Sequence, residues 1–312
     1  MKKFIQYFKE FHKDYYSTTL YSVFLFFVGT LIALNYTFDI EDSFIDSFYG
    51  SHFRILLYFG YHAIAYYGVL LIIWFFDRNK INFTWQFWLK SLIGLIILGV
   101  DRSIFPQIAH FVRVLVPFET YRFYFKLCFN VYGLFTIFLM LIFLKLIFDK
   151  KEKYGIYGLR FDKVDFKSYA IMLLIMIPIV FFATYLPDFL DYYPTYKRTG
   201  GDRFARYYGF SETISVLLYE SIYLFDFLNT ELFFRGFLVI GFSKLLGKNV
   251  VLPMAATYAV LHFGKPMGET ISSVFGGYIL GVIALYSRNI WGGIFLHGGI
   301  AFFMELFAFW RR

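Results

Sequence analysis

Asn229-Thr230-Glu231-Leu232-Phe233-Phe234-Arg235-Gly236-Phe237-Leu238 sets a carboxylate and a guanidinium inside an otherwise apolar run. The run extends from about 211 to 246 and meets Gly247, a natural helix stop. Ionisable groups at bilayer depth are costly, and they persist mostly where they face the interior of a helical bundle. Glu231 and Arg235 are four residues apart, so a helix puts them on one face within pairing reach. Two histidines downstream, His262 and His297, also fall in apolar runs. The three segments that carry these groups are expected to meet.

The composition fits a membrane setting. Of the 312 residues, 59% are hydrophobic and 17% charged, against about 25% charged in a soluble domain. Mean hydropathy is +0.58. The chain therefore reads as all-α, a polytopic helical membrane protein with about eight to nine transmembrane helices. Thirty Lys and Arg against 22 Asp and Glu give a net charge of +8. The basic residues cluster in short connections and at the termini, as cytoplasmic loops facing anionic headgroups do. Membrane lipids are thus expected partners and nucleic acid is not. Cys128 is the sole cysteine, which rules out an intrachain disulfide and a Cys-based zinc site. It is expected to be a buried structural thiol. The first apolar run has no small-residue cleavage pattern, so it reads as a retained span.

Spans are expected at about 19–36, 53–76, 85–100, 124–148, 168–185, 211–246, 250–263, 271–286 and 290–309. Lys2, Lys3, Lys9 and Lys13, against Glu10 and Asp14, mark an interfacial cytoplasmic leader. Asp39, Glu41, Asp42 and Asp46 suit an outside loop, and Asp77-Arg78-Asn79-Lys80 returns the chain to the basic side. Pro106, His110, Arg113 and Pro117 interrupt 103–122, which reads as a surface helix. The polar stretch 187–210 reads as an ordinary solvated loop, with a cover over a site mouth as the other reading. At about 1.5 Å per residue, the sixth run outreaches a hydrocarbon core of ~30 Å, so it must tilt, kink or project. Strict alternation leaves Arg311 and Arg312 outside, in tension with the positive-inside rule.

Spacing also bears on the polar groups. Glu231 lies ~22 Å of helix before the Gly247-Lys248 turn, and His262 ~20 Å after it, so a helical hairpin returns His262 to the depth of Glu231. His297 lies only ~10 Å beyond the Arg288-Asn289 turn. It joins the others only if that turn sits deeper or its helix tilts. A carboxylate and two imidazoles in a dry pocket suit hydrolysis. The carboxylate takes a proton from water, while histidines hold the water, stabilise an oxyanion or bind a metal. Glu231 and Arg235 also fit a structural ion pair, and each histidine an interhelical hydrogen bond. Glu220 and Asp226 on the same run are further candidates, with an interfacial charge as the plainer reading. Glu305 is expected to snorkel.

Thr230-Glu231-Leu232-Phe233-Phe234-Arg235-Gly236 resembles the Glu-Glu-x-x-x-Arg motif of the CPBP family, the intramembrane CAAX-processing and Abi-type endopeptidases. Tyr258-Ala259-Val260-Leu261-His262 resembles its second motif, an aromatic residue four before a histidine. His297-Gly298-Gly299-Ile300-Ala301 matches the third, His-x-x-x-Asn, at the histidine. The glycine-bearing Gly276-Gly277-Tyr278-Ile279-Leu280-Gly281 and the approach Asn289-Ile290-Trp291-Gly292-Gly293 are also similar. The resemblance covers roughly 155–310. It implies a core over 151–312, with 1–150 as additional spans of unassigned role. It also implies an intramembrane peptidase that cuts hydrophobic or lipidated peptides in or near the bilayer, here expected in a bacterial cytoplasmic membrane. By this resemblance Glu231, His262 and His297 are catalytic, and Arg235, Thr230 and Tyr258 support them. Members have been described both as metalloproteases and as glutamate-dependent peptidases. The cofactor is therefore open between none and a divalent metal such as zinc, with His262 and His297 as ligands if a metal is used. Two positions depart from the pattern. Thr230 stands where the family's first Glu, usually assigned the water-activating role, is expected, and Ala301 stands at the Asn. Either Glu231 or Asp226 takes over as base, or the chain is a degenerate member acting as a binding or bacteriocin-immunity protein.

Overall fold

Each long apolar run forms helix, and the described residues contain no β-strand beyond one isolated bridge between Ile156 and Leu159. The computed structural model describes residues 1–15, 17–76, 81, 83–161 and 164–311. The Asp77-Arg78-Asn79-Lys80 connection and Arg312 lie outside the described residues.

The leader is an amphipathic helix, α1 (Lys2–Tyr15), laid against the bundle with Phe4 and Phe11 buried and its lysines exposed. Next come α2 (Thr18–Phe38), α3 (Phe53–Phe76) and α4 (Trp85–Ser103). Ser17 caps α2 through the Leu20 N–H, and Thr84 caps α4 through the Phe87 N–H. The interrupted 103–122 stretch becomes α5 (Phe105–Leu115), which carries Pro106 in its first turn and bends 44° from α4. A 31-residue span, Phe118–Phe148, joins α6 (Phe118–Gly133) through a π-helical turn to α7 (Met140–Phe148). Then follow α8 (Phe166–Ala183), α9 (Pro187–Tyr192), α10 (Gly201–Tyr208) and α11 (Glu212–Glu231).

The expected 36-residue helix does not continue as one. It passes from α11 into a π-helical stretch, Leu232–Gly241, then α12 (Ser243–Leu246). The chain then reverses at Gly247 into α13 (Val251–Leu261). All ten π-helical residues and Val251–Val260 are buried. A helix apolar all round belongs in a core, and this hairpin is the core. α14 (Met267–Ser287) packs on α13, with Gly277 against Ala255 and Gly281 against Met254, the close approach that small residues allow. α15 (Trp291–Arg311) packs on α8 and α11.

Large apolar side chains such as Phe26, Phe75, Phe182 and Leu217 point outward, as expected of lipid-facing helices. Among the described residues six helices are long and apolar enough to cross a membrane, and two bent pairs raise this to eight. The chain is a polytopic helical membrane protein.

Three expectations need correction. Cys128 is only half-buried, because it lies toward the outer side of α6. The 187–210 stretch is not a solvated loop: it folds into α9, a 3-10 turn and α10, and buries Tyr193 and Tyr196. Glu305 does not snorkel. It is 2% exposed, and its carboxylate accepts the Thr195 N–H (2.9 and 3.0 Å) and O–H (2.6 Å), because this folded stretch brings an unpaired backbone N–H to it.

Candidate active site

Glu231 ends α11, and its carboxylate is fully buried. Arg235 Nη1 lies 2.9 Å from Glu231 Oε1, as the four-residue spacing anticipated. His297 Nδ1–H donates to the same oxygen (3.0 Å), and the Tyr258 O–H donates to His297 Nε2 (3.0 Å). These partners fix the His297 tautomer. The Arg235 guanidinium lies 4.1 Å from the Tyr258 ring centre, and Phe227 walls the imidazole edge-on. The result is a carboxylate–imidazole–phenol chain, its carboxylate fully buried, with a cation beside it.

His297 therefore meets Glu231, and the condition on turn depth is satisfied. The Arg288–Ile290 turn sits against Gly158, itself against Ile240, nine residues past Glu231. The Ile290 N–H bonds to Gly158 O, and Asn289 Nδ2–H bonds to Arg160 O. Seven residues on from Ile290, His297 is level with Glu231. Gly292 and Gly293 let α15 come this close: Tyr169 lies on the first and Glu231 Oε2 on the second. That Oε2 is buried with no hydrogen-bond partner among the described residues.

His262 differs from expectation. It lies not within a helix but at the C-cap of α13, where the backbone leaves helical geometry. Its Nδ1–H donates to Tyr258 O (2.8 Å). Its ring packs edge-on against Tyr258, with centroids 4.5 Å apart, so Tyr258 separates it from His297. Its Nε2 faces Glu269 Oε1 at 3.9 Å. Glu269 is held by Lys265 Nζ (2.8 Å) and the Tyr193 O–H (2.8 Å). Burial works against the Lys265 charge, but the Glu269 carboxylate outweighs it and holds the ammonium above its ordinary range. Lys265, Glu269 and Tyr193 escaped the sequence reading. The four-residue Lys265–Glu269 spacing just after His262 was the available signal.

Thr230 is half-buried and makes no side-chain hydrogen bond among the described residues, and Ala301 is buried. Asp226 faces away: it accepts from Asn229 Nδ2 (2.9 Å), and the pair lies on Gly133 of α6. Glu220 sits beside Glu305. Neither is brought to Glu231.

The donor set does not fit a metal. Both His297 nitrogens are engaged, and no three His, Cys, Asp or Glu side chains converge for an ion among the described residues.

Residues 212–303 match a family model described as type II CAAX prenyl endopeptidase, Rce1-like. No curated protein and no solved structure matches the chain. The matched segment starts at α11 and reaches past His297, so it spans all three resembling motifs. Over that segment the chain is similar to CAAX-type intramembrane proteases.

Proposed function

We propose that the chain is an intramembrane peptidase that hydrolyses hydrophobic or lipidated peptides, with Glu231 as the base. Residues 151–312 carry the chemistry, residues 1–150 frame it, and a bacterial cytoplasmic membrane is its setting. The observation that carries this reading is the free Glu231 Oε2. Oε1 is fixed by Arg235 and His297, so only Oε2 has lone pairs to offer a water. Buried polar atoms without a protein partner are typical anchors for ordered water.

In this mechanism Oε2 accepts a proton from water as the water oxygen attacks the peptide carbonyl carbon. The resulting oxyanion takes hydrogen bonds from the Arg235 guanidinium, whose Nε–H lacks a partner. The Glu231 carboxylic acid then returns the proton to the leaving nitrogen as the C–N bond breaks. His297 orients Glu231, Tyr258 holds His297, and His262 positions Tyr258 through its backbone. Thr230 offers the centre no side-chain hydrogen bond among the described residues, and no step passes through Thr230 or Asp226.

Thr230 and Ala301 favour a second reading, a binding or immunity protein that keeps Glu231–Arg235 as an internal pair. One experiment separates them: cleavage of hydrophobic and prenylated peptides by detergent-purified protein, with and without chelator, beside Glu231→Gln. Cleavage that vanishes in a folded Glu231→Gln variant supports the peptidase. Cleavage that survives removes Glu231 as base. No cleavage by folded wild-type protein moves the weight to the second reading.

A further inference from the structure

On the basic end of the bundle, a cleft of about 340 Å³ opens between the 150–160 connection, the hairpin turn and the end of α14. Lys153, Arg160, Lys244 and Arg288 line it with Glu152 and Ser243. Glu152, the one carboxylate among its lining residues, is already paired with Lys244.

Arg288 is the unexpected residue. It follows the last turn of α14 with φ 54° and ψ 33°, in the left-handed region. Glycine is favoured at this position after a helix because it has no Cβ to clash. An arginine there keeps a backbone conformation disfavoured for L-residues and in exchange turns its guanidinium into the cleft. The guanidinium donates to Ser243 Oγ and has no ion-pair partner among the described residues. It is partly desolvated, and burial pushes Arg288 below its ordinary range. Lys153 is exposed and likewise unpaired among the described residues. A planar guanidinium beside an ammonium matches the tetrahedral oxygens of a phosphate. Basic pockets between spanning helices at a membrane surface suit lipid headgroups.

We propose that this cleft is a phosphate-binding site that takes the headgroup of an anionic phospholipid, with Arg288 and Lys153 as its two principal cations. The site is separate from Glu231 and does not depend on catalysis.

The test uses the full chain in non-ionic detergent, titrated with short-chain phosphatidylglycerol and, separately, short-chain phosphatidylcholine. The variants are Arg288→Gly, Lys153→Gln and Glu231→Gln. Arg288→Gly suits the left-handed backbone, so its unfolding midpoint without lipid stays at or above that of the wild type. Wild-type protein and Glu231→Gln are expected to bind phosphatidylglycerol about tenfold more tightly than phosphatidylcholine, and each cleft variant to lose about fivefold to tenfold of that preference. Displacement by millimolar inorganic phosphate would support recognition of the phosphate group itself, with a soluble source as ligand. Retention against it would support the lipid-borne group. Equal affinity for the two lipids, or an unchanged preference in Arg288→Gly, would overturn the proposal.

Discussion

Glu231 is held at one oxygen and free at the other, and Gly293 decides whether that arrangement exists. A Cβ at position 293 would overlap Glu231 Oε2, whereas one at Gly298 would meet nothing within 4 Å. Gly293→Ala must therefore push the carboxylate aside or lift α15 away. We expect it to cost about 1–3 kcal/mol of stability and at least about tenfold in cleavage, since small misplacements at a reacting centre are costly. Gly298→Ala is expected to leave both unchanged. Detergent-based thermal unfolding and the peptide assay check the pair, and indistinguishable variants would remove Gly293 from the site. Arg235 allows a companion comparison. Arg235→Ala strips Glu231 of its cation and opens a gap beside Tyr258, and breaking a buried pair costs about 3–5 kcal/mol. Glu231→Gln leaves Arg235 its contact with the Tyr258 ring. The midpoint should fall further in Arg235→Ala than in Glu231→Gln, and the reverse order would contradict the geometry.

At the scale of elements, the 187–210 stretch is latched at two points over the end of the bundle. Tyr193 bonds to Glu269, next to His262, and Thr195 bonds to Glu305 on α15. Hydrogen bonds to charged groups contribute about 1.5–3 kcal/mol each. Glu305→Ala should therefore raise the open population of this stretch about 10- to 100-fold. Lys197 and Arg198 are exposed within it, so trypsin reads the opening directly when opening is fast relative to cleavage. Faster cutting there, with no change at other sites, is the expected result, and an unchanged rate would show that Glu305 is not the latch. Neither latch could be read from the sequence, because Glu305 and Thr195 are 110 residues apart and carry no periodic signal. Local patterns were readable. The apolar run at 53–76 is α3 residue for residue, and Glu231–Arg235 pairs as a four-residue spacing requires. The depth argument turned the chain back at Gly247 and returned His262 to the level of Glu231, whereas in the structure it is Tyr258 that lies beside Arg235. It could not foresee the π-helical geometry of Leu232–Gly241, nor that the Arg288–Ile290 turn sits beside Gly158. These two features put His297 rather than His262 on the carboxylate.

For the molecule as a whole, the question is what holds the N-terminal spans to the core, and Lys90 on α4 is a focal point. Its ammonium is fully buried, donates to Gly241 O (2.6 Å) and pairs with Asp149 (2.5 Å). It also lies 4.7 Å from the Phe242 ring centre. Asp149 in turn accepts the Tyr157 O–H (2.8 Å). One charge thus joins α4, the end of the π-helical stretch that begins beside Glu231, and the 149–160 connection. Lys90→Met keeps much of the volume but leaves Asp149 without its cation and Gly241 O without its donor. Removing one partner of a buried pair costs about 3–5 kcal/mol, whereas replacing both is often close to neutral. Lys90→Met should therefore lower the unfolding midpoint strongly, and Lys90→Met with Asp149→Asn should recover most of the loss. Lys90 touches neither Glu231 nor His297, so cleavage per folded molecule, measured well below the midpoint, should fall less than about threefold. If the single variant unfolds at the wild-type temperature, Lys90 is not the joint. If it keeps its midpoint but loses cleavage, the N-terminal spans act on the site itself.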